Sequence, residues 1–256
     1  MKPRAKKSYG QHFLINEPVT EKISTSLEFT EKYPRVLEIG PGQGVLTKYL
    51  LEKDYDFRAV DADREMFQHI SQRFEEHKDK FILKDCLKLD FYELFDNQEF
   101  LIIGNFPYNI SSQIVFKILK NHTLIPEMTG MFQKEMADRI IAPHGSKTYG
   151  VISVLTQALY HTKRLFNVAP GSFNPPPKVN STVIRLWRKE EELPCDYRQL
   201  RIVVKAAFSQ RRKMMRNTLK SIITNEDLLK EDVFSKRPEQ LSLEDFIQLT
   251  NTIYNT

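Results

Sequence analysis

Apolar residues along this chain follow two rhythms, and their alternation lays out a fold. Short, mostly apolar runs occur in RVLEI at 35–39, FRAV at 57–60, KFIL at 80–83 and FLII at 100–103. Each is too short for a helix and rich in Val, Ile, Leu or Phe, the mark of strands buried on both faces. Between the runs, apolar residues recur at helical spacing: Leu46, Tyr49, Leu50 and Leu51 after the first, and Met66, Phe67, Ile70 and Phe74 after the second. Such alternation predicts an α/β fold, a parallel sheet with helices on both faces, in which ligands gather at the carboxyl ends of the strands. Further along, the pattern predicts a helix over 111–120, a strand over 127–132, the helical QKEMADRIIA, a loop over 143–150, another helix, and strands over 160–168 and 180–189. Pro175, Pro176 and Pro177 must be extended or turning and cannot join a central ladder. The acidic KEEELPCD at 189–196 marks a boundary, and beyond it only helices are expected, over 197–208, 210–223, 225–231 and 242–253. The expected domains are therefore 1–190 and a small all-helical 191–256.

What ends each strand carries the chemistry. The first runs into a turn holding Gly40, Gly42 and Gly44, where a cofactor can lie against the backbone at a helix N-terminus. The spacing is neither the G-x-G-x-x-G of a dinucleotide site nor a P-loop, so an adenosyl cofactor without a pyrophosphate is favoured over nicotinamide dinucleotide or a bare tight turn. Asp61 ends the second strand and suits a carboxylate that accepts both ribose hydroxyls; Asp63 is the alternative, or simply a helix cap. Asp85 ends the third beside Cys86, where the pair fits an adenine edge; a simple turn cap is the lesser alternative for Asp85. Glu38 either orients the glycine loop or meets the cofactor's ammonium.

The fourth strand ends in GNFPYNISS, 104–112. The Asn105 side-chain carbonyl and the Phe106 backbone carbonyl can accept the two protons of a planar amine, Pro107 stiffens the turn, and Tyr108 can stack on the ring. Two acceptors favour pyramidalisation of a poorly nucleophilic amine and stabilise the positive charge that grows on it during attack, which is what methyl transfer to the N6 amine of adenine requires. In isolation, Asn105 could instead close a local turn and Tyr108 cover the core edge.

Composition adds little and charge adds more. Apolar, aromatic and charged fractions of 41%, 11% and 28% are those of an ordinary globular protein, and no apolar run approaches a bilayer span, so a cytoplasmic protein is expected. Cys86 and Cys195 lie far apart and the six histidines are scattered, so no metal site is expected. The net charge is only +5, yet residues 1–10 hold Lys2, Arg4, Lys6 and Lys7, and residues 201–220 hold Arg201, Lys205, Arg211, Arg212, Lys213, Arg216 and Lys220, with no acid in either stretch. Two acid-free basic blocks suit a polyanion, though solubility alone would also account for them.

The set of GQHFL, LEIGPGQGVLT, DAD, KDCLKLDF, GNFPYNISS, QKEMADRI, SKTYGVIS, FNPPPKVNS and FSQRRKMMRNTL resembles the bacterial KsgA/RsmA ribosomal RNA adenine dimethyltransferases over nearly the whole chain. The resemblance implies a Rossmann-like S-adenosylmethionine-dependent methyltransferase domain with a small helical C-terminal domain. It also implies dimethylation at N6 of two adjacent adenosines near the 3′ end of 16S rRNA, on an immature 30S subunit, by an enzyme monomeric off the ribosome. By that resemblance Gln11, His12, Leu14, Glu38, Gly40, Gly42, Gly44, Asp61, Ala62, Asp85, Cys86 and Asn105 border the cofactor. Asn105, Phe106, Pro107 and Tyr108 hold the target base, Phe173 stacks on or steadies it, and Lys6, Lys7, Arg211, Arg212, Lys213 and Arg216 hold the RNA backbone, the last four on a basic helix. His12, Asp61 and Phe106 stand where asparagine, glutamate and leucine are frequent in the family, and Phe106 puts the width of the pocket in question. Competing readings are the related 23S rRNA methyltransferases of macrolide resistance, a DNA adenine methyltransferase, and a non-catalytic RNA-binding module.

Overall fold

The computed structural model describes Lys6, residues 10–223 and residues 226–254. In chain order its strands and helices are β1 (Phe13–Leu14), α1 (Glu17–Ser24), β2 (Arg35–Ile39), α2 (Thr47–Leu51), β3 (Asp56–Asp61), α3 (Arg64–Arg73), β4 (Phe81–Leu83), α4 (Phe91–Leu94), β5 (Leu101–Asn105), α5 (Ser111–Lys120), β6 (Glu127–Gln133), α6 (Lys134–Ile140), α7 (Val151–Leu159), β7 (Tyr160–Val168), β8 (Phe173–Asn174), β9 (Ser181–Arg188), α8 (Tyr197–Ala207), α9 (Met215–Thr218) and α10 (Leu243–Tyr254). Seven strands form one sheet in the order β4-β3-β2-β5-β6-β9-β7. The first five are parallel, and β9 runs antiparallel to β6. From β2 the chain winds outward through β3 to β4, then returns to the other side of β2 with β5. That reversal puts a topological switch point between β2 and β5, where an α/β sheet opens a crevice for a ligand.

Local sequence explains the elements. The β2 and β5 side chains are buried because helices cover both faces. Helix α3 starts at Asp63, whose carboxylate accepts from the Glu65 amide, and buries Met66 and Ile70. In α5, Ile114, Val115, Ile118 and Leu119 form the buried stripe. The core between sheet and helices includes Val36, Leu50, Phe57, Leu101, Ile103 and Val183.

The chain divides into two compact units, the described residues through Ala137 with Thr162–Arg188, and Asp138–His161 with the described residues from Lys189 onward. The helical unit thus draws on 138–161 as well as on the C-terminal part, where the sequence pattern pointed to a single cut near 190. Within it α7 packs on α8 and α10, and an aromatic row of Tyr149, Phe208 and Phe246 joins them at centroid spacings of 6.0 and 5.9 Å. The continuous helix expected over 210–223 is not formed. The Met215 amide donates to the Lys236 carbonyl instead of continuing a helical ladder, and only Met215–Thr218 is α-helical. Arg211, Arg212 and Lys213 consequently lie on a turn and not on a helix face.

Candidate active site

A cleft of about 250 Å³ opens at the carboxyl ends of β2, β3 and β5 and is bordered by Gly40, Gly42, Asp61, Ala62, Asp85, Cys86, Asn105, Phe106, Pro107 and Tyr108. Gln11 and His12 border it as well. One loop after each of four neighbouring strands, together with a piece of the N-terminal segment, builds the whole site. Glu38 and Leu14 line a smaller cavity behind the glycine turn, which Asn105 also reaches.

The glycine turn holds φ of +73° at Gly40, +54° at Gly42 and +75° at Gly44, a conformation that side-chain-bearing residues rarely adopt. Gly44 borders neither cavity. A Cβ there would stand 2.6 Å from Phe74, so this glycine serves the packing of the turn on α3 and not the cofactor wall. The Gly42 amide donates to the Asp61 carboxylate at 3.3 Å and the Asp63 amide donates to it at 2.8 Å. Burial, only partly offset by these amides, pushes the Asp61 carboxyl up to about 6. Deeper still, burial pushes Glu38 up to about 8, against the hydrogen bond it accepts from Thr47. Neither acid has a cation among these partners. Asp61 therefore faces the cleft as a desolvated carboxylate ready for hydroxyl donors.

Asp63 is used differently. Besides capping α3, it accepts from Lys6 Nζ at 2.8 Å and from Gln11 Nε2 at 3.1 Å, and the lysine holds its carboxyl below the usual range despite burial. Lys6 also pairs with Glu65 at 2.9 Å. The ammonium expected on the RNA backbone is thus engaged in latching the N-terminal segment over the cleft; Lys7 lies outside the described residues. At the third strand's end Asp85 accepts from the Leu87 amide, and burial pushes the Cys86 thiol up to about 12, leaving an apolar wall and no nucleophile.

The decisive contact lies at β5. Asn105 Nδ2 donates to the His12 carbonyl at 3.1 Å, which fixes the amide so that its oxygen is the end left to receive a donor. The Tyr108 hydroxyl shares a hydrogen bond with Ser181, and burial raises its pKa, so it stays a neutral phenol. The His12 imidazole lies against the Tyr108 ring, centroids 5.3 Å apart and 29° between planes, and its Nδ1 donates to the Pro175 carbonyl at 2.9 Å. Phe173, expected beside the target base, is 3% exposed: its strand pairs with β1 and its ring joins the core cluster with Leu14 and Val183. The lone aromatic ahead of the prolines is therefore a packing residue.

Sequence reasoning missed Asp63 as a latch and β1–β8 as a two-residue clasp. Neither leaves a periodic signal, although the acid-free lysines near the start and the DAD acids were both in view.

The sequence model of the family described as "Ribosomal RNA adenine dimethylase" matches residues 2–254. Ribosomal RNA small subunit methyltransferase A of Flavobacterium johnsoniae is 50% identical over 253 residues, covering 98% of this chain and 97% of that protein. Its namesake from Bacteroides thetaiotaomicron is 48% identical over 98% of this chain and 94% of its own. Among solved structures, a dimethyladenosine transferase from Plasmodium falciparum superposes with a TM-score of 0.76 at 26% identity, covering 94% and 98% of the two chains. The 23S rRNA methyltransferase ErmE shares the fold, with a TM-score of 0.69 at 22% identity over 93% and 99%. The glycine turn, the paired acids and the oriented Asn105 amide thus sit in a chain that belongs to the ribosomal RNA adenine dimethylase family, methyltransferases of rRNA adenines.

Proposed function

We propose that this enzyme transfers methyl groups from S-adenosylmethionine to N6 of two adjacent adenosines near the 3′ end of 16S rRNA, acting on the immature 30S subunit. The observation that carries it is the orientation of Asn105. With Nδ2 spent on the His12 carbonyl, Oδ1 is left to accept, and Asn105 and Phe106 both border the cleft, so that Oδ1 and the Phe106 carbonyl would serve as the two acceptors.

The chain's residues fit that cofactor, since the glycine turn offers bare backbone and Asp61 offers a desolvated acceptor at the edge of the same cleft. When bound, it supplies an activated methyl on a sulfonium. Gly40 and Gly42 would lie against it, Asp61 would accept its ribose hydroxyls, and Asp85 would accept from its adenine amine beside the Cys86 wall. At the other end, Asn105 and the Phe106 carbonyl accept the two N6 protons of the target base and stabilise the charge that grows on nitrogen. Tyr108 stacks on the base, a reading supported by the His12 imidazole that lies against the same ring in the way a flat nitrogenous ring would. Pro107 fixes the turn between the two. The work required is alignment and exclusion of water, with no covalent intermediate.

The helical unit, with the exposed Arg212, Lys213 and Arg216, would hold the RNA backbone, a contribution that weakens with salt. Incubation with labelled S-adenosylmethionine and unmethylated 30S particles, followed by nucleoside mapping, should give N6,N6-dimethyladenosine at two adjacent positions, with naked 23S rRNA left unlabelled. Label in 23S rRNA alone would overturn the substrate. Asn105→Ala should abolish transfer while RNA binding persists.

A further inference from the structure

The two-acceptor clamp assigns a task to the Phe106 carbonyl and none to its ring, yet the ring occupies a seat cut for it. Gly104 and Gly130 are direct cross-strand partners on β5 and β6. With no side chain at either position, the pair forms a bare patch of sheet, and the Phe106 ring lies on it. A Cβ at 130 would stand 2.2 Å from ring Cε2 and 2.9 Å from Cδ2 and Cζ. At position 104 it would stand 3.0 Å from Cε1 and 3.2 Å from Cδ1. Both edges of the ring therefore rest on glycine backbone. Phe132 closes the seat edge-on, at 5.0 Å between centroids and 73° between planes. The Phe106 amide donates to the Met131 carbonyl at 3.2 Å, and the residue is 1% exposed. Its side chain therefore does not set the width of the pocket, contrary to the doubt raised by Phe in place of Leu.

Held by its amide and by its ring, and followed by a proline that fixes the next φ, Phe106 retains little freedom in the direction of its carbonyl. We infer that the Phe106 ring, seated on the Gly104–Gly130 pair, is the positioning group that aims the Phe106 carbonyl at the target amine, and that Gly130 is the residue that admits it. The inference rests on the clamp proposed above. Gly104 is the less informative partner, because a Cβ there would also meet the Ile39 carbonyl at 2.6 Å and disturb β2 directly. Around Gly130 the three nearest atoms all belong to the Phe106 ring, so the two residues form a lock whose parts can be exchanged.

The test is a double-mutant cycle of Gly130→Ala, Phe106→Leu and the pair, with Phe106→Ala and Asn105→Ala alongside. The readouts are kcat and KM for methyl transfer to unmethylated 30S particles, cofactor binding by calorimetry and thermal midpoint. A carbonyl displaced by a fraction of an ångström should lower kcat about tenfold to a hundredfold in Gly130→Ala, with cofactor affinity held within about twofold. Leucine lacks the ring atoms that the new methyl strikes, so Phe106→Leu/Gly130→Ala should recover most of that loss, a coupling that independent sites do not show. A wild-type kcat in Gly130→Ala, or a double variant no more active than it, overturns the inference. If Gly130→Ala fails to fold, Phe106→Ala carries the test by emptying the seat instead of overfilling it: kcat should fall with cofactor affinity intact, and an unchanged kcat overturns the inference. Transfer retained in Asn105→Ala sinks the clamp itself; an inactive Asn105→Ala beside fully active seat variants sinks only the seat.

Discussion

Two regions of the sheet bury carboxylates, and they treat them in opposite ways. On β6, Glu127 is 0% exposed and saturated with donors: the Glu28 and Phe29 amides at 2.8–3.1 Å and the Arg185 guanidinium from β9. Arg185 reaches on to Glu28 and packs its guanidinium over Phe29 and Trp187. At the cleft the Asp61 carboxylate accepts from the Gly42 and Asp63 amides, and behind the glycine turn Glu38 accepts from the Thr47 hydroxyl; burial drives both upward in pKa. The first is scaffold: a charge brought inside with its counter-charge, tying the 28–29 loop to the sheet. The second is the proposed site: acids buried with no counter-charge among these partners, the state in which a ligand's donors would be taken up.

Removing one acid from each region should have opposite effects. The largest effect expected is at Glu127→Ala, which leaves the buried Arg185 with the exposed Glu28 in place of its buried counter-charge, strips the Glu28 and Phe29 amides of their acceptor, and should cost about 3–5 kcal/mol of stability. Thermal or urea unfolding reads this directly, and cofactor affinity of the folded fraction should not change. Asp61→Asn reverses the pattern: cofactor affinity should fall about tenfold to a hundredfold, the worth of hydrogen bonds to a charged acceptor, while stability at pH 8 should hold or rise. A thermal midpoint several degrees lower would remove Asp61 from the site class.

The sign of the pH dependence follows from the raised pKa. Burial pushes the Asp61 carboxyl up to about 6, above the ordinary aspartate range near 4, so its protonation favours the fold, most fully below pH 4 and no longer as pH rises past 6. Cofactor binding needs the carboxylate and runs the other way, weakening as pH falls through 6. Calorimetry of the binary complex between pH 5 and 8 should show that step in the wild type and its absence in Asp61→Asn.

A smaller effect separates holding a site from being one. Lys117 on α5 donates to the Leu87 and Leu89 carbonyls and lies 4.6 Å from the Phe91 ring centroid, pinning the loop that carries Asp85 and Cys86. Lys117→Met should loosen cofactor binding a few-fold with kcat unchanged; an equal loss in kcat would place it nearer the chemistry.

The parallel core of the sheet was legible because apolar runs of strand length ended, one after another, in glycines, acids and the Asn105 turn. The place of Asp61 at the edge of the cleft was legible too, from its position at the strand end. The fate of the Phe106 ring was not, since it depends on a glycine 24 positions away that becomes a neighbour only when β5 pairs with β6. Phe173 misled for the same kind of reason: an aromatic before prolines resembles a stacking residue until its strand is seen zipped to β1. Over 210–223, helical residues lost their ladder to the carbonyl of Lys236, a tertiary competitor that propensity does not register.

The clasp between β1 and β8 has a consequence in time. Leu14 pairs with Phe173, about 160 residues further on, and closing so long a loop is entropically unrewarded until the core between them exists. On a growing chain the contacts of Lys6 and Gln11 with Asp63 can form first, and the β1–β8 clasp that completes the seating of the His12 carbonyl on Asn105 follows once residues 173–174 have been made. In refolding, methyl transfer should return no earlier than closure of this clasp. A chain that has collapsed but not yet closed its N-terminal segment is then already shaped like the enzyme and still unable to modify RNA.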